Sequence, residues 1–150
     1  MESRIKGLRV MNRHLIFLLV LATLASVPAT AADLQVTVRE VRDGKGQVKL
    51  MLFDREEGFR KEEKARQVLA LPAGTGTVSG VFQGLPPGRY AVIAYHDENG
   101  DGKLNLRFGM FPKEGYGLSN TPKLSGPPKF ADAAFDVPES GSRIDIRLGY

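Results

Sequence analysis

The chain has 150 residues, 21 of them Lys or Arg and 17 Asp or Glu, with neither cysteine nor tryptophan. The lack of cysteine excludes disulfides, thiolate metal sites, a cysteine nucleophile and the acylated cysteine of a bacterial lipoprotein. Residues 1–31 hold four of the basic and one of the acidic residues; the 17 and 16 that remain give a net charge near +1, which predicts neither nucleic-acid binding nor strong attraction to anionic membranes.

Arg4, Lys6, Arg9 and Arg13 precede an unbroken apolar run from Leu15 to Leu21 that continues through Ala25, and Ala29-Thr30-Ala31 follows Pro28. A basic start, a short apolar stretch and a small-x-small site are the marks of a cleavable secretory signal. The apolar core is shorter than the roughly 20 residues a membrane-spanning helix needs, so no stable membrane anchor is expected after cleavage. Either Met1 or Met11 supplies a compact basic start. Cleavage is expected after Ala31, releasing one periplasmic or secreted domain over residues 32–150.

In that domain Leu34, Val36 and Val38 alternate with polar residues, as a half-buried strand does. Asp43-Gly44-Lys45-Gly46 reads as a turn and Val48, Leu50 and Leu52 as a second strand, so the pair is expected to form a hairpin. Between Glu56 and Arg66, the acid-before-base pairs Glu56–Arg60, Glu57–Lys61 and Glu62–Arg66 predict a short exposed helix, although Gly58 weakens it. Thr77–Phe82 is a further strand, followed by the rigid turn Gly84-Leu85-Pro86-Pro87-Gly88. Arg89–His96 is apolar on both faces, which predicts a central strand. Residues 97–129 are rich in Gly, Asn, Asp and Pro and read as long loops. Phe130–Val137 and Ile144–Leu148 return to alternation, with Ile144, Ile146 and Leu148 inward. The expected fold is mainly β, an antiparallel sandwich (immunoglobulin-like or prealbumin-like) of about seven strands with one short helix.

One constellation stands out. Asp97, Asn99 and Asp101 occupy positions 1, 3 and 5 of a calcium-binding loop, Gly102 sits at the turn position, the Lys103 carbonyl falls at position 7 and Asn105 at position 9. Position 12 is Phe108 where an EF-hand has a bidentate glutamate, and a strand precedes the loop in place of a helix. A more distant carboxylate, Glu114 being nearest, would have to complete the shell. The plainer alternative is that Asn-Gly and Asp-Gly simply form turns after a strand. Glu114 with Asp97 or Asp101 is also a candidate carboxylate pair for an envelope hydrolase, provided the two carboxyls face each other across an open cleft.

His96 is the only histidine left after cleavage. No nucleophile accompanies it in a known motif, and Gly117-Leu118-Ser119-Asn120 lacks the second glycine of a nucleophile elbow. A strand-end histidine bonded to a neighbouring loop is the expectation. Phe108, Met110, Phe111 and Tyr116 give the loop region an aromatic character, suited either to pinning it onto the domain or to an exposed recognition patch.

Three runs of the sequence occur in one order and spacing: Gly88-Arg89-Tyr90-Ala91-Val92, His96-Asp97-Glu98-Asn99-Gly100-Asp101-Gly102-Lys103-Leu104 and Glu114-Gly115-Tyr116-Gly117-Leu118-Ser119-Asn120. From Leu34 to Tyr150 the chain resembles the bacterial exported family catalogued as domain of unknown function 2141. Met110-Phe111-Pro112-Lys113 is slightly longer and bulkier than the Gly-x-Pro approach of that pattern. The resemblance implies a single exported domain and supplies no activity. The turn Leu85-Pro86-Pro87-Gly88-Arg89-Tyr90 is also similar to those of transthyretin-like and carboxypeptidase-regulatory-like sandwiches, an analogy of fold alone. The reading that emerges is a non-enzymatic binding or structural module with a calcium-supported loop at 97–105. Its expected partner is a protein or carbohydrate of the cell envelope, reached through the loop face or an edge strand.

Overall fold

The computed structural model describes residues 31–108, 111–123 and 126–150. The expected signal peptide falls on residues outside that set, apart from Ala31. The strands are β1 (Ala32–Val41), β2 (Gln47–Phe53), β3 (Gln67–Pro72), β4 (Gly76–Leu85), β5 (Gly88–Asp97), β6 (Leu106–Arg107), β7 (Phe111–Pro112), β8 (Tyr116–Leu118), β9 (Phe135–Val137) and β10 (Ser142–Arg147). A 3-10 turn (Glu62–Lys64) and a short helix α1 (Phe130–Ala133) complete the described elements. The fold is mainly β and sandwich-like. One sheet has the order β10-β1-β4 and the facing sheet β3-β2-β5-β8, with β9 paired to the other half of the same edge of β5. β6 and β7 form a separate two-stranded ribbon.

Alternation explains the layers. Leu34, Val36 and Val38 of β1 face Val48, Leu50 and Leu52 of β2 and Val92 and Ala94 of β5, and all eight are fully buried between the sheets. Each such Leu or Val contributes about 1.5–3 kcal/mol relative to remaining exposed. The outer face of β2 and β5 carries a second core of Met51, Phe53, Ala91, Ile93 and Tyr95, covered by Phe59, Ala133 and Leu118. Burial on both faces makes β5 the central strand its composition predicts. The Tyr90 hydroxyl donates to the Pro86 carbonyl at 2.7 Å, bracing the Pro86-Pro87 turn between β4 and β5.

Several expectations need correction. β1 and β2 do not form a hairpin; they lie in different sheets and meet face to face. A period of two says which side chains face inward, and that demand is met by packing across the sandwich as well as by pairing side by side. The arrangement is antiparallel except that β1 pairs with β10 in parallel. The Glu56–Arg66 helix is reduced to the turn at 62–64, because Gly58 and Arg60 have left-handed backbones (φ 78° and 76°) that end a helix. Its charges look elsewhere, Glu62 to Lys49 at 2.6 Å and Arg66 to Asp54 at 2.9 Å. Phe130–Ala133, expected in a strand, is the helix, and the strand starts at Phe135. Three short strands, β6 to β8, interrupt the loop region 97–129.

Among the described residues no helix is long and apolar enough to cross a membrane. Tyr116 packs against the second core, and burial pushes its phenol up to about 12, against the opposing pull of the Arg60 charge. The unfolded phenol titrates near 10, so Tyr116 favours the folded state fully below that pH and loses this contribution as the pH climbs through 12, at most about 3 kcal/mol in all. In alkaline unfolding followed by circular dichroism, Tyr116→Phe is expected to move the transition to higher pH. An unmoved transition would refute the assignment.

Candidate functional site

The loop that follows β5 is organised by side chains accepting from its own backbone. Asp97 ends β5 opposite Gln47 of β2, and its carboxylate is fully buried. It accepts from the N–H groups of Asp101 (3.1 Å) and Gly102 (2.9 Å) and from the Gln47 side-chain amide (2.9 Å). Asn99 Oδ1 accepts from Asp101 N at 3.0 Å, and Asp101 Oδ1 from Lys103 N at 2.8 Å. These are two successive Asx turns, which explains the alternate spacing of Asn and Asp. Gly102 supplies the left-handed residue (φ 77°) that reverses the chain.

Glu114, 6% exposed, closes the loop from outside. Its Oε1 accepts from Glu98 N at 3.2 Å and its Oε2 from Asn105 N at 2.9 Å, so one carboxylate holds both ends. The Asn105 side-chain nitrogen then lies among Asp101 Oδ2 (2.9 Å), the Lys103 carbonyl (3.4 Å) and Glu114 Oε2 (3.4 Å). Three oxygens surround a nitrogen that has two hydrogens to give. Asp101 Oδ2 also accepts from Asn99 Nδ2 at 3.2 Å. The Asn105 amide, followed by the Lys103 N–H, holds the Asp101 carboxyl below the ordinary carboxylate range.

The structure therefore brings Asp101, Lys103, Asn105 and Glu114 to one point, while Asp97 and Asn99 reach it through the Asp101 N–H. Among the described residues Asp97, Asp101 and Glu114 enter no ion pair, whereas neighbouring Glu98 is held by Arg42 at 2.6 Å. Nor, among those residues, do three or more His, Cys, Asp and Glu side chains assemble into a metal-holding group. The donors here are mixed: carboxylates, side-chain amides and a backbone carbonyl, all ligand types that calcium accepts.

Sequence reasoning missed the residues that hold the loop to the sheet. Lys49, nearly buried on β2, donates to Glu62 (2.6 Å) and to the Gly102 carbonyl (3.1 Å), and the Tyr95 hydroxyl donates to that carbonyl at 3.0 Å. Burial alone would lower the Lys49 ammonium, but its bonds to Glu62 and Tyr95 outweigh this and leave it raised. The one available signal was a lysine set between the core residues Val48 and Leu50.

A family model described as uncharacterized protein conserved in bacteria (DUF2141) matches residues 36–145. The chain belongs to this family. No curated protein and no solved structure matches it. The DUF2141 match spans most of β1 through most of β10 and includes the whole Asp97 loop with Glu114.

His96, fully buried beside this DUF2141 loop, is bonded as expected of a strand-end histidine. Its Nε2 lies 2.7 Å from the Lys45 carbonyl, which only accepts, so the ring proton is assigned to Nε2. Nδ1 then accepts from the Tyr150 hydroxyl at 2.9 Å, and that oxygen accepts from Arg42 N at 2.9 Å. Ser119 is likewise structural: its Oγ accepts from Val92 N at 2.9 Å and donates to the Ala133 carbonyl. Among the described residues of this DUF2141 member, no buried side-chain nitrogen or oxygen lacks a partner.

Proposed function

We propose that this is an exported, non-enzymatic β-sandwich module whose 97–105 loop, closed by Glu114, is a calcium site that steadies the face used to meet a protein or carbohydrate of the cell envelope. What supports the calcium reading is the convergence of Asp101, the Lys103 carbonyl and Glu114 on the Asn105 amide, with neither carboxylate in an ion pair among the described residues. Turning the Asn105 amide over replaces its NH₂ by Oδ1 and leaves a cluster of oxygens where that nitrogen sat. Asp101, Asn105, the Lys103 carbonyl and Glu114 are then the direct ligands, with Asp97 and Asn99 holding the turn or adding oxygens. Each carboxylate has about four lone-pair sites, and the three donors each one accepts leave room for a cation. A signal over residues 1–31 would deliver the domain to a compartment where an affinity of about 10⁻⁴–10⁻³ M, that of extracellular calcium modules, suffices.

The experiment is a thermal melt of residues 32–150 in calcium and in EDTA. At a calcium concentration 100 times Kd the domain is expected to gain about 2.7 kcal/mol, and Asp101→Ala to lose that gain. Identical midpoints in calcium and EDTA would sink the calcium reading. Export is tested by the amino terminus of the envelope-fraction product, expected at Ala32; an unprocessed chain in the cytosol would overturn it. The hydrolase alternative has less support, since Asp97 is fully buried, Glu114 nearly so, and both carboxylates are committed to N–H donors.

A further inference from the structure

The β6–β7 ribbon rises from the same root. Asn105, whose N–H is held by Glu114, receives the Lys113 N–H on its own carbonyl at 2.9 Å, and the strands pair Leu106 with Pro112 and Arg107 with Phe111. At its turn Phe108 is 84% exposed, and Leu106 beside it is 42% exposed. Phe108 also has a left-handed backbone (φ 54°), which a bulky side chain rarely adopts. Two apolar cores lie within the same small domain, yet this aromatic is held away from both, in a strained conformation. From Gly102 to Lys113 the sequence contains Lys103, Arg107 and Lys113 and no acidic residue. All three cations are exposed, and among the described residues none is in an ion pair. Arg107 and Lys113 on the ribbon and Lys103 near its root thus flank the exposed Phe108, while the acids Asp101 and Glu114 sit at the root of the ribbon, Glu114 buried.

We propose that this ribbon docks on an anionic lipid surface, with Phe108 entering the boundary between headgroups and acyl chains and Lys103, Arg107 and Lys113 meeting headgroup phosphates. Charge complementarity selects the occupant. Size does too: a stable protein interface covers about 800 Å² per partner, far more than a ribbon of two-residue strands presents. A fluid bilayer accepts a single convex side chain without a matching pocket. The net charge near +1 averages over the domain and hides this local field. Each basic side chain near an anionic membrane strengthens binding about fivefold, and burying a Phe side chain about 10- to 100-fold. The contact is therefore reversible, and it does not require the Asp97 loop to hold an ion.

The chain has no tryptophan, so Phe108→Trp places a single reporter at the tip. With vesicles of phosphatidylglycerol and phosphatidylcholine, its emission is expected to shift to the blue and the protein to co-sediment, in calcium and in EDTA alike. Pure phosphatidylcholine vesicles are expected to give neither effect. Arg107→Gln with Lys113→Gln is expected to weaken binding about 25-fold. Phe108→Gly is expected to weaken it at least about tenfold while raising the thermal midpoint, on the order of 3 °C, because glycine relieves the left-handed backbone. That opposite movement separates a docking residue from one needed for folding. Absence of binding to the anionic vesicles, or full binding by Phe108→Gly, would overturn the proposal. A blue shift produced by vesicle-free envelope proteins and not by lipid would overturn it in favour of a protein partner. A failed calcium melt leaves the lipid result unaffected, so the two readings fail separately.

Discussion

Asp97→Ala is expected to destabilise the domain by about 3–5 kcal/mol, a fall in midpoint of roughly 10–20 °C for a chain of this size. The carboxylate is fully buried and accepts from two backbone N–H groups and one side-chain amide. Hydrogen bonds to a charged acceptor contribute about 1.5–3 kcal/mol each, and stranding a buried donor costs more than a made bond contributes. Alanine strands the Gly102 N–H and the Gln47 amide, whereas the Asp101 N–H keeps Asn99 Oδ1 at 3.0 Å. Asp97→Asn is expected to fall between, since the amide keeps one acceptor but turns NH₂ toward a donor. Gln47→Ala, which removes a single donor, is expected to cost about 1 kcal/mol. Urea denaturation in EDTA measures all three, so the loss is read without any contribution from calcium. A loss below about 1 kcal/mol for Asp97→Ala would mean that the loop is not held this way.

Gly46→Ala is the second large effect, with an expected loss of about 3–5 kcal/mol. Gly46 has φ 65°, and a Cβ there would fall on the Asp97 carbonyl, with the Asp97 carbonyl carbon at 3.0 Å and the Glu98 carbonyl carbon at 3.1 Å. Those atoms belong to a backbone fixed by the pairing of Gln47 with Asp97, so they cannot move aside cheaply. Gly102→Ala is the control. Its φ is 77°, but nothing lies within 4 Å of an added Cβ, so it reports conformational strain alone, about 1 kcal/mol. Equal losses at the two positions, measured by the same denaturation, would show that the close approach to Asp97 does not matter.

The features legible in the sequence were the local ones. Residues two apart in Leu34-Val36-Val38 or Ile144-Ile146-Leu148 share a face of any strand, so the inward positions follow from the pleat alone. The Asp97-Asn99-Asp101-Gly102 turn was legible because its hydrogen bonds span no more than five residues. Glu114 was named as the nearest acid, and it is the residue that closes the loop. Gln47, Lys49 and Tyr95 were not legible as part of the site, since their roles depend on which strands lie beside the loop. The predicted helix at 56–66 failed where Gly58 and Arg60 turn left-handed. Of the loop residues Phe108, Met110, Phe111 and Tyr116, Tyr116 packs against the domain and Phe108 is exposed, while Met110 and the Phe111 side chain lie outside the described set.

The parallel pairing of β1 with β10 also sets the order of folding. Leu34 pairs with Ser142 across 108 residues, and the other neighbour of β1, β4, begins only at Gly76. A chain made or moved amino end first cannot complete this sheet until its last strand arrives. Closing so long a segment is slow compared with forming a local hairpin. Until then β1 lacks one of its two neighbours, and the core around Leu34, Val36 and Val38 is without Ile146 and Leu148. The topology thus withholds the completed sandwich until nearly the whole chain is present.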